Sequence, residues 1–178
     1  FVVDKKLPLI SDQPALLVNR TGNVKPAGKI KLPELLFISS FPPRECGIAT
    51  YSQDLINAIR NKFSRSFTIK VCPLESSSEK HSYSEDVKYI LNTDHPNAFP
   101  RMAASINADD DIQMIFIQHE FGFYAKKEKE FRQFLFELKK PVVVVFHTVL
   151  PNPDEALKEN VNHIASLAAS VVVMTNSS

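Results

Sequence analysis

The sequence predicts an α/β fold: a doubly wound, mainly parallel sheet with helices on both faces, Rossmann-like in its strand order. Three observations carry that expectation. From Leu35 onward, short runs of Val, Ile, Leu and Phe alternate with amphipathic stretches, the texture of repeated βαβ units. Several of the runs are apolar at every position, as strands covered by helices on both sides must be. Crossovers between parallel strands are right-handed, so a succession of six such strands winds outward in two directions from a central pair.

Residues 1–34 hold Pro8, Pro14, Pro26 and Pro33 with Gly22 and Gly28, and only Ala15 to Val18 is strand-like. They read as a linker or edge extension ahead of a domain spanning residues 35–178. The first strand is Leu35 to Ser39. A helix follows with Leu55, Ile56, Ile59 and Phe63 on one face, opened by Thr50 and Gln53 at capping-box spacing. Strands at Phe67 to Cys72 and Val87 to Leu91 come next, then a weaker helix from Asn97 to Asn107, where Pro100 is tolerated only near the start. Asp109, Asp110 and Asp111 form a solvated turn before the strand Ile112 to Gln118. A helix from about Lys127 to Lys139 turns Phe131, Phe134, Leu135 and Leu138 inward, ahead of the strand Val142 to Phe146. Asn152, Pro153, Asp154 and Glu155 start another helix with a side-chain cap, a first-turn proline and early acids, and Val171 to Met174 is the last strand.

Composition narrows the function. The 178 residues are 44% hydrophobic, enough for one domain that buries roughly 70% of the surface its unfolded chain exposes. With 21 Lys and Arg against 20 Asp and Glu, the chain lacks the charge footprint of a nucleic-acid binder, and a peripheral membrane contact would rest on local patches. No apolar run approaches the ~18 residues of a membrane helix. Cys46 and Cys72 make neither a disulfide framework nor a metal spacing, which suits a reducing, cytoplasmic compartment.

In a doubly wound sheet, ligands bind beyond the carboxyl ends of the strands, where the winding reverses between the first and fourth. The loops there run over residues 41–50, 119–122, 147–148 and 175–178. Glycine is scarce, 4 in the chain, yet Gly47 and Gly122 both fall in these loops. Gly47 stands shortly before a helix start, where backbone N–H groups and the helix dipole favour a phosphate; equally, it could serve only to relieve a tight turn. Arg44 either adds positive charge to such a site or is solvated or paired with Glu45. Cys46 precedes the same helix, a setting that activates thiols, although a free cysteine is more often a small buried hydrophobe. His119 and His147 each close an apolar strand, so their imidazoles should project together from the ligand edge, suited to proton transfer or to hydrogen bonds with hydroxyls. The alternative is that they cap loop backbone. A zinc site would need a third ligand, and only Glu120 is near in sequence. His81, His95 and His163 read as surface residues.

Three segments carry a resemblance to a known family: residues 37–55, FISSFPPRECGIATYSQDL; residues 117–122, IQHEFG; and residues 144–151, VVFHTVLP. Together they resemble the amino-terminal domain of glycosyltransferase family 4, whose members are retaining enzymes of the GT-B fold. The similarity covers about Leu35 to Ser178. It implies two Rossmann-like halves facing across a cleft, with a nucleotide-sugar donor held mainly by the carboxyl-terminal half, which this chain does not include. By that resemblance Gly47, with Cys46 and Arg44, would lie against the donor phosphates, and His119 would be the catalytic histidine beside the transferred sugar. His147, Glu120, Gly122 and Thr148 would line the substrate cleft. The acceptor would be a carbohydrate or lipid-linked molecule, and no metal or other cofactor would be required. Many members carry two adjacent glycines in the first loop, and Cys46 replaces the first of them here. A GT-B epimerase or phosphorylase, or a non-catalytic nucleotide- or partner-binding module of flavodoxin-like shape, are the competing expectations.

Overall fold

A computed structural model describes residues 31–63, 66–78, 80–83, 86–148 and 150–174. Ala15 to Val18, and the loop at 175–178, lie outside the described residues. Six strands, β1 (Glu34–Ser39), β2 (Thr68–Glu75), β3 (Leu91–Asn92), β4 (Ile112–His119), β5 (Val142–Phe146) and β6 (Ser170–Val173), form one sheet in the order β3-β2-β1-β4-β5-β6. Every pairing is parallel. This is the doubly wound order, with the reversal between β1 and β4.

Helices α1 (Gly47–Phe63), α2 (Ala98–Ala108), α3 (Glu128–Glu137) and α4 (Glu155–Leu167) provide the crossovers. They divide the core in two. On one face α1 sets Ile56 against Phe37, Phe41, Ile69 and Val71. On the other, Phe99, Met102, Ala103 and Ile106 of α2, Phe131, Phe134 and Leu135 of α3 and Ile164 of α4 cover Leu36, Ile38, Ile115, Ile117, Val144 and Phe146. Alternate residues of each strand therefore face opposite helix layers, as a period of two requires. On β4, Ile115, Ile117 and His119 share the α2–α4 face, while Phe116 belongs to the α1 face. α1 approaches closely through small buried residues, Ala49 and Ser52, and the Ser52 hydroxyl lies 2.6 Å from that of Ser39.

Several boundaries differ from expectation for physical reasons. The first strand begins at Glu34, one residue ahead of expectation, where Glu34 N–H donates to the Asp111 carbonyl and Thr68 N–H to that of Pro33. The strand expected at Val87 to Leu91 is reduced to a single bridge between Val71 and Val87 and the two-residue β3. Lys88 and Tyr89 turn instead to the amino end of β4. The Lys88 ammonium pairs with both Glu34 and Asp109, and the Tyr89 hydroxyl donates to Asp109. Asp109 is thus no solvated turn residue. On α1, Phe63 is 43% exposed instead of inward. On α4 the cap is Asp154, whose carboxylate accepts from Leu157 N–H, and Pro153 stands before it, outside the first turn.

Burial alone would lower the Lys88 pKa, but its bonds to Asp109 and Glu34 outweigh that and hold it at about 12. Lys88→Met would leave two largely buried carboxylates facing each other without a cation. We expect a loss of roughly 3 kcal/mol in denaturant unfolding at pH 7, and the loss should shrink as pH falls and the carboxyls protonate. A loss that stays constant down to pH 3 would contradict this account.

Candidate functional site

At the rim formed by the carboxyl ends of the strands, β1 runs out through the buried Ser39 and Ser40 into the loop that leads to α1. The helix starts at Gly47, one turn earlier than the Thr50 and Gln53 pattern predicts. Its first turn is satisfied by Cys46: the Ala49 N–H donates to Cys46 Sγ at 3.4 Å, and that sulfur also lies 3.0 Å from the Ser40 hydroxyl. The thiol is therefore engaged as a cap. Sequence reasoning misses this because cysteine is not among the preferred capping residues. Gly47 itself is exposed, its φ is outside the left-handed region, and a Cβ added there would meet nothing within 4 Å. A strained turn does not explain it; its neighbourhood is open space at a helix N-terminus.

The two histidines part company. Registers pair His119 with Phe146 across β4 and β5, so His147, one residue further on, points to the opposite face. His119 projects into the α2–α4 side. Its ring lies 4.8 Å from Phe121, 4.9 Å from Phe146 and 5.3 Å from both Tyr124 and Phe131, and only 2% of the residue is exposed. The imidazole does not project from the rim as expected. Burial, with a smaller contribution from the charge of His147, lowers its pKa to about 4, so it is neutral near pH 7. Its Nδ1 has no partner, and neither has the Tyr124 hydroxyl.

His147 projects to the α1 side. Its Nε2 lies 2.7 Å from Gln118 Oε1, and its ring meets Tyr51 of α1 edge-on at 5.0 Å. Burial lowers its pKa too, against the opposing pull of Glu120. Glu120 closes β4 and accepts a hydrogen bond from the Thr148 hydroxyl, which ties the loops after β4 and β5 together.

Gly122 lies in a short 3₁₀ turn, η1 (Phe121–Tyr124), on the wall of a polar cleft of about 290 Å³. Arg44, from the first loop, reaches the same cleft and stacks over Phe123 at 5.5 Å. The predicted residues thus fall into two groups: Gly47, Cys46 and His147 on the α1 side of the rim, and Arg44, Gly122 and the buried His119 on the other. Glu75, Thr93, Asp94, Lys126 and Lys127, which also line the cleft, carry no motif in the sequence. Only the pairing of β2 with β3 brings the first three near. His95 and His163 are exposed, whereas His81 is half-buried with an unpartnered Nε2. Cys72 is fully buried, and burial pushes its thiol up.

Among the described residues no group of three His, Cys, Asp or Glu is arranged to hold a metal ion, and no helix is long and apolar enough to cross a membrane. No family model matches the chain, and comparison with curated proteins and with solved structures gives no match.

The buried imidazole makes stability pH-dependent. With a folded pKa of about 4 against an ordinary value of 6.5, the unfolded chain takes up the proton first as pH falls. Stability is then complete above about pH 6.5 and declines towards pH 4, by on the order of 3 kcal/mol. His147 adds in the same direction. Denaturant unfolding from pH 7 to 4.5 should show the decline, and His119→Phe, which keeps an aromatic ring in the box, should flatten most of it.

Proposed function

We propose that this domain is the acceptor-side half of a retaining glycosyltransferase, which moves a sugar from a nucleotide-sugar donor to a carbohydrate or lipid-linked acceptor. In this reading it is inactive without a second Rossmann-like half facing it. The observation that carries the proposal is one of convergence. The three segments that resemble glycosyltransferase family 4 end adjacent strands, β1, β4 and β5, at one rim and at the point where the winding reverses.

The donor phosphates would meet the first turn of α1 at Gly47, ahead of the amide that Cys46 already caps, where the positive end of the dipole favours an anion. As the nucleotide departs, charge builds on its phosphate, and dipoles already fixed by the fold stabilise that charge without reorganising. Arg44, although in the same loop, turns to the cleft beside Phe123 and away from this helix start. His147, held by Gln118 and Tyr51, would line the donor side. The resemblance implies that the chemistry requires no divalent metal.

His119 takes a narrower role than a general base. A neutral imidazole can donate or accept a hydrogen bond, but with 2% of the residue exposed, substrate reaches it only if the surrounding rings shift. His119→Phe separates the roles, since it preserves the packing and removes the nitrogens. In a longer polypeptide joining this domain to a second half, turnover should fall by at least tenfold with a near-normal melting temperature. Normal turnover would refute any part for the imidazole in transfer.

Gly47→Val should leave folding intact, because the space beside Gly47 is empty, yet weaken nucleotide-sugar binding severalfold. Unchanged binding, measured by calorimetry, would count against phosphate contact at this helix start. The reading as a whole is tested by screening nucleotide sugars with that longer polypeptide for release of the free nucleotide. Absence of release across donors and acceptors would favour a non-catalytic module.

A further inference from the structure

The cleft between the ends of β2 and β3 and the turn η1 has two walls of opposite chemistry. Glu75 and Ser76, at the end of β2, and Thr93 and Asp94, just after β3, form one. Gly122, Phe123, Ala125, Lys126 and Lys127, from η1 to the start of α3, form the other, and Arg44 reaches in from the first loop.

The acid wall is already committed in part to the chain itself. Glu75 Oε1 accepts from His81 N–H, and Asp94 Oδ2 from Ser77 N–H. Each carboxylate offers about four lone-pair sites, so acceptor capacity for a ligand's hydroxyl groups remains on both. On the cation wall, the Lys127 ammonium makes a long, exposed contact of 3.5 Å with Glu130. Lys126 has φ 66°, in the left-handed region that a side-chain-bearing residue seldom occupies. That strained conformation is kept where two successive lysines line one small cleft, opposite the two acids.

We propose that this cleft binds the acceptor, and that the acceptor is a sugar bearing an anionic group, a phosphate or a carboxylate. Its hydroxyls lie against Glu75, Thr93 and Asp94, and its charge lies between Lys126 and Lys127. The proposal rests on the transferase reading for the sugar, and on the two walls for the charge. At about 290 Å³ the cleft is at the small end of ligand pockets, suited to a single sugar unit.

The test measures binding of glucose 6-phosphate, glucuronate, glucose, inorganic phosphate and glutamate to the 178-residue chain by calorimetry at low and high salt. At least one of the two anionic sugars should bind about tenfold more tightly than glucose or inorganic phosphate, which identifies the anion, and salt should weaken it. Lys126→Asn keeps a residue tolerant of the left-handed region while removing the charge. It should cost the anionic sugar about tenfold, leave glucose unaffected, and be rescued by Lys126→Arg; Lys127→Gln gives an independent reading of the same wall. Glucose binding as tightly as its phosphate, or indifference to both lysine variants, overturns the anionic acceptor and leaves a transferase with a neutral one. Inorganic phosphate or glutamate binding more tightly than the anionic sugars also overturns it. If no sugar binds and the nucleotide-sugar screen is negative too, the transferase reading falls with it.

Discussion

The alternation of side chains along β4 and β5, locked by the pairing of His119 with Phe146, decides which residues of this domain can ever meet. A parallel ladder has no freedom to slide by one residue without exchanging its two faces. Once Ile115, Ile117, Val144 and Phe146 are committed to the core beneath α2 to α4, His119 must follow them inward and His147 must go the other way. The same alternation places Gln118 where it can hold His147. The division of the rim into an α1 side and an α3 side is therefore a by-product of core packing, and the candidate residues are distributed accordingly.

His119 illustrates what that commitment costs. An imidazole enclosed by four aromatic rings behaves as one more ring of the core, and desolvation holds it in the neutral form. An orphaned Nδ1 is the remaining sign of polarity, and an apolar ring would satisfy the packing without it. Burial of this kind is unfavourable for a proton shuttle and favourable for a fixed, uncharged hydrogen-bonding group.

Much of the fold is legible in the residues themselves, because short apolar runs rich in β-branched residues, such as Val142 to Phe146, favour strands, although the similar run in β6 lies exposed. Strand order follows from right-handed crossovers. Register does not, since two parallel strands of the same apolar character can be aligned by eye in either parity, and that is why the two histidines read as partners. The start of α1 is misread for a different reason: Thr50 and Gln53 match a capping pattern, while the sulfur that makes the cap belongs to no such pattern. Lys88, Tyr89 and Asp109 find one another across a gap in sequence that no local rule spans. The cleft-lining Glu75, Thr93 and Asp94 stay hidden likewise, for their meeting depends on how β2 and β3 pair.

The capping role of Cys46 has a consequence for how the first loop can vary. Its sulfur does a structural task that a glycine in that place could not do, since glycine offers no acceptor to the Ala49 amide. A chain with glycine at both positions would free one more backbone amide to receive a ligand, whereas this one spends that amide on itself. The sulfur thereby anchors the first turn more firmly and leaves fewer of its amides open to solvent.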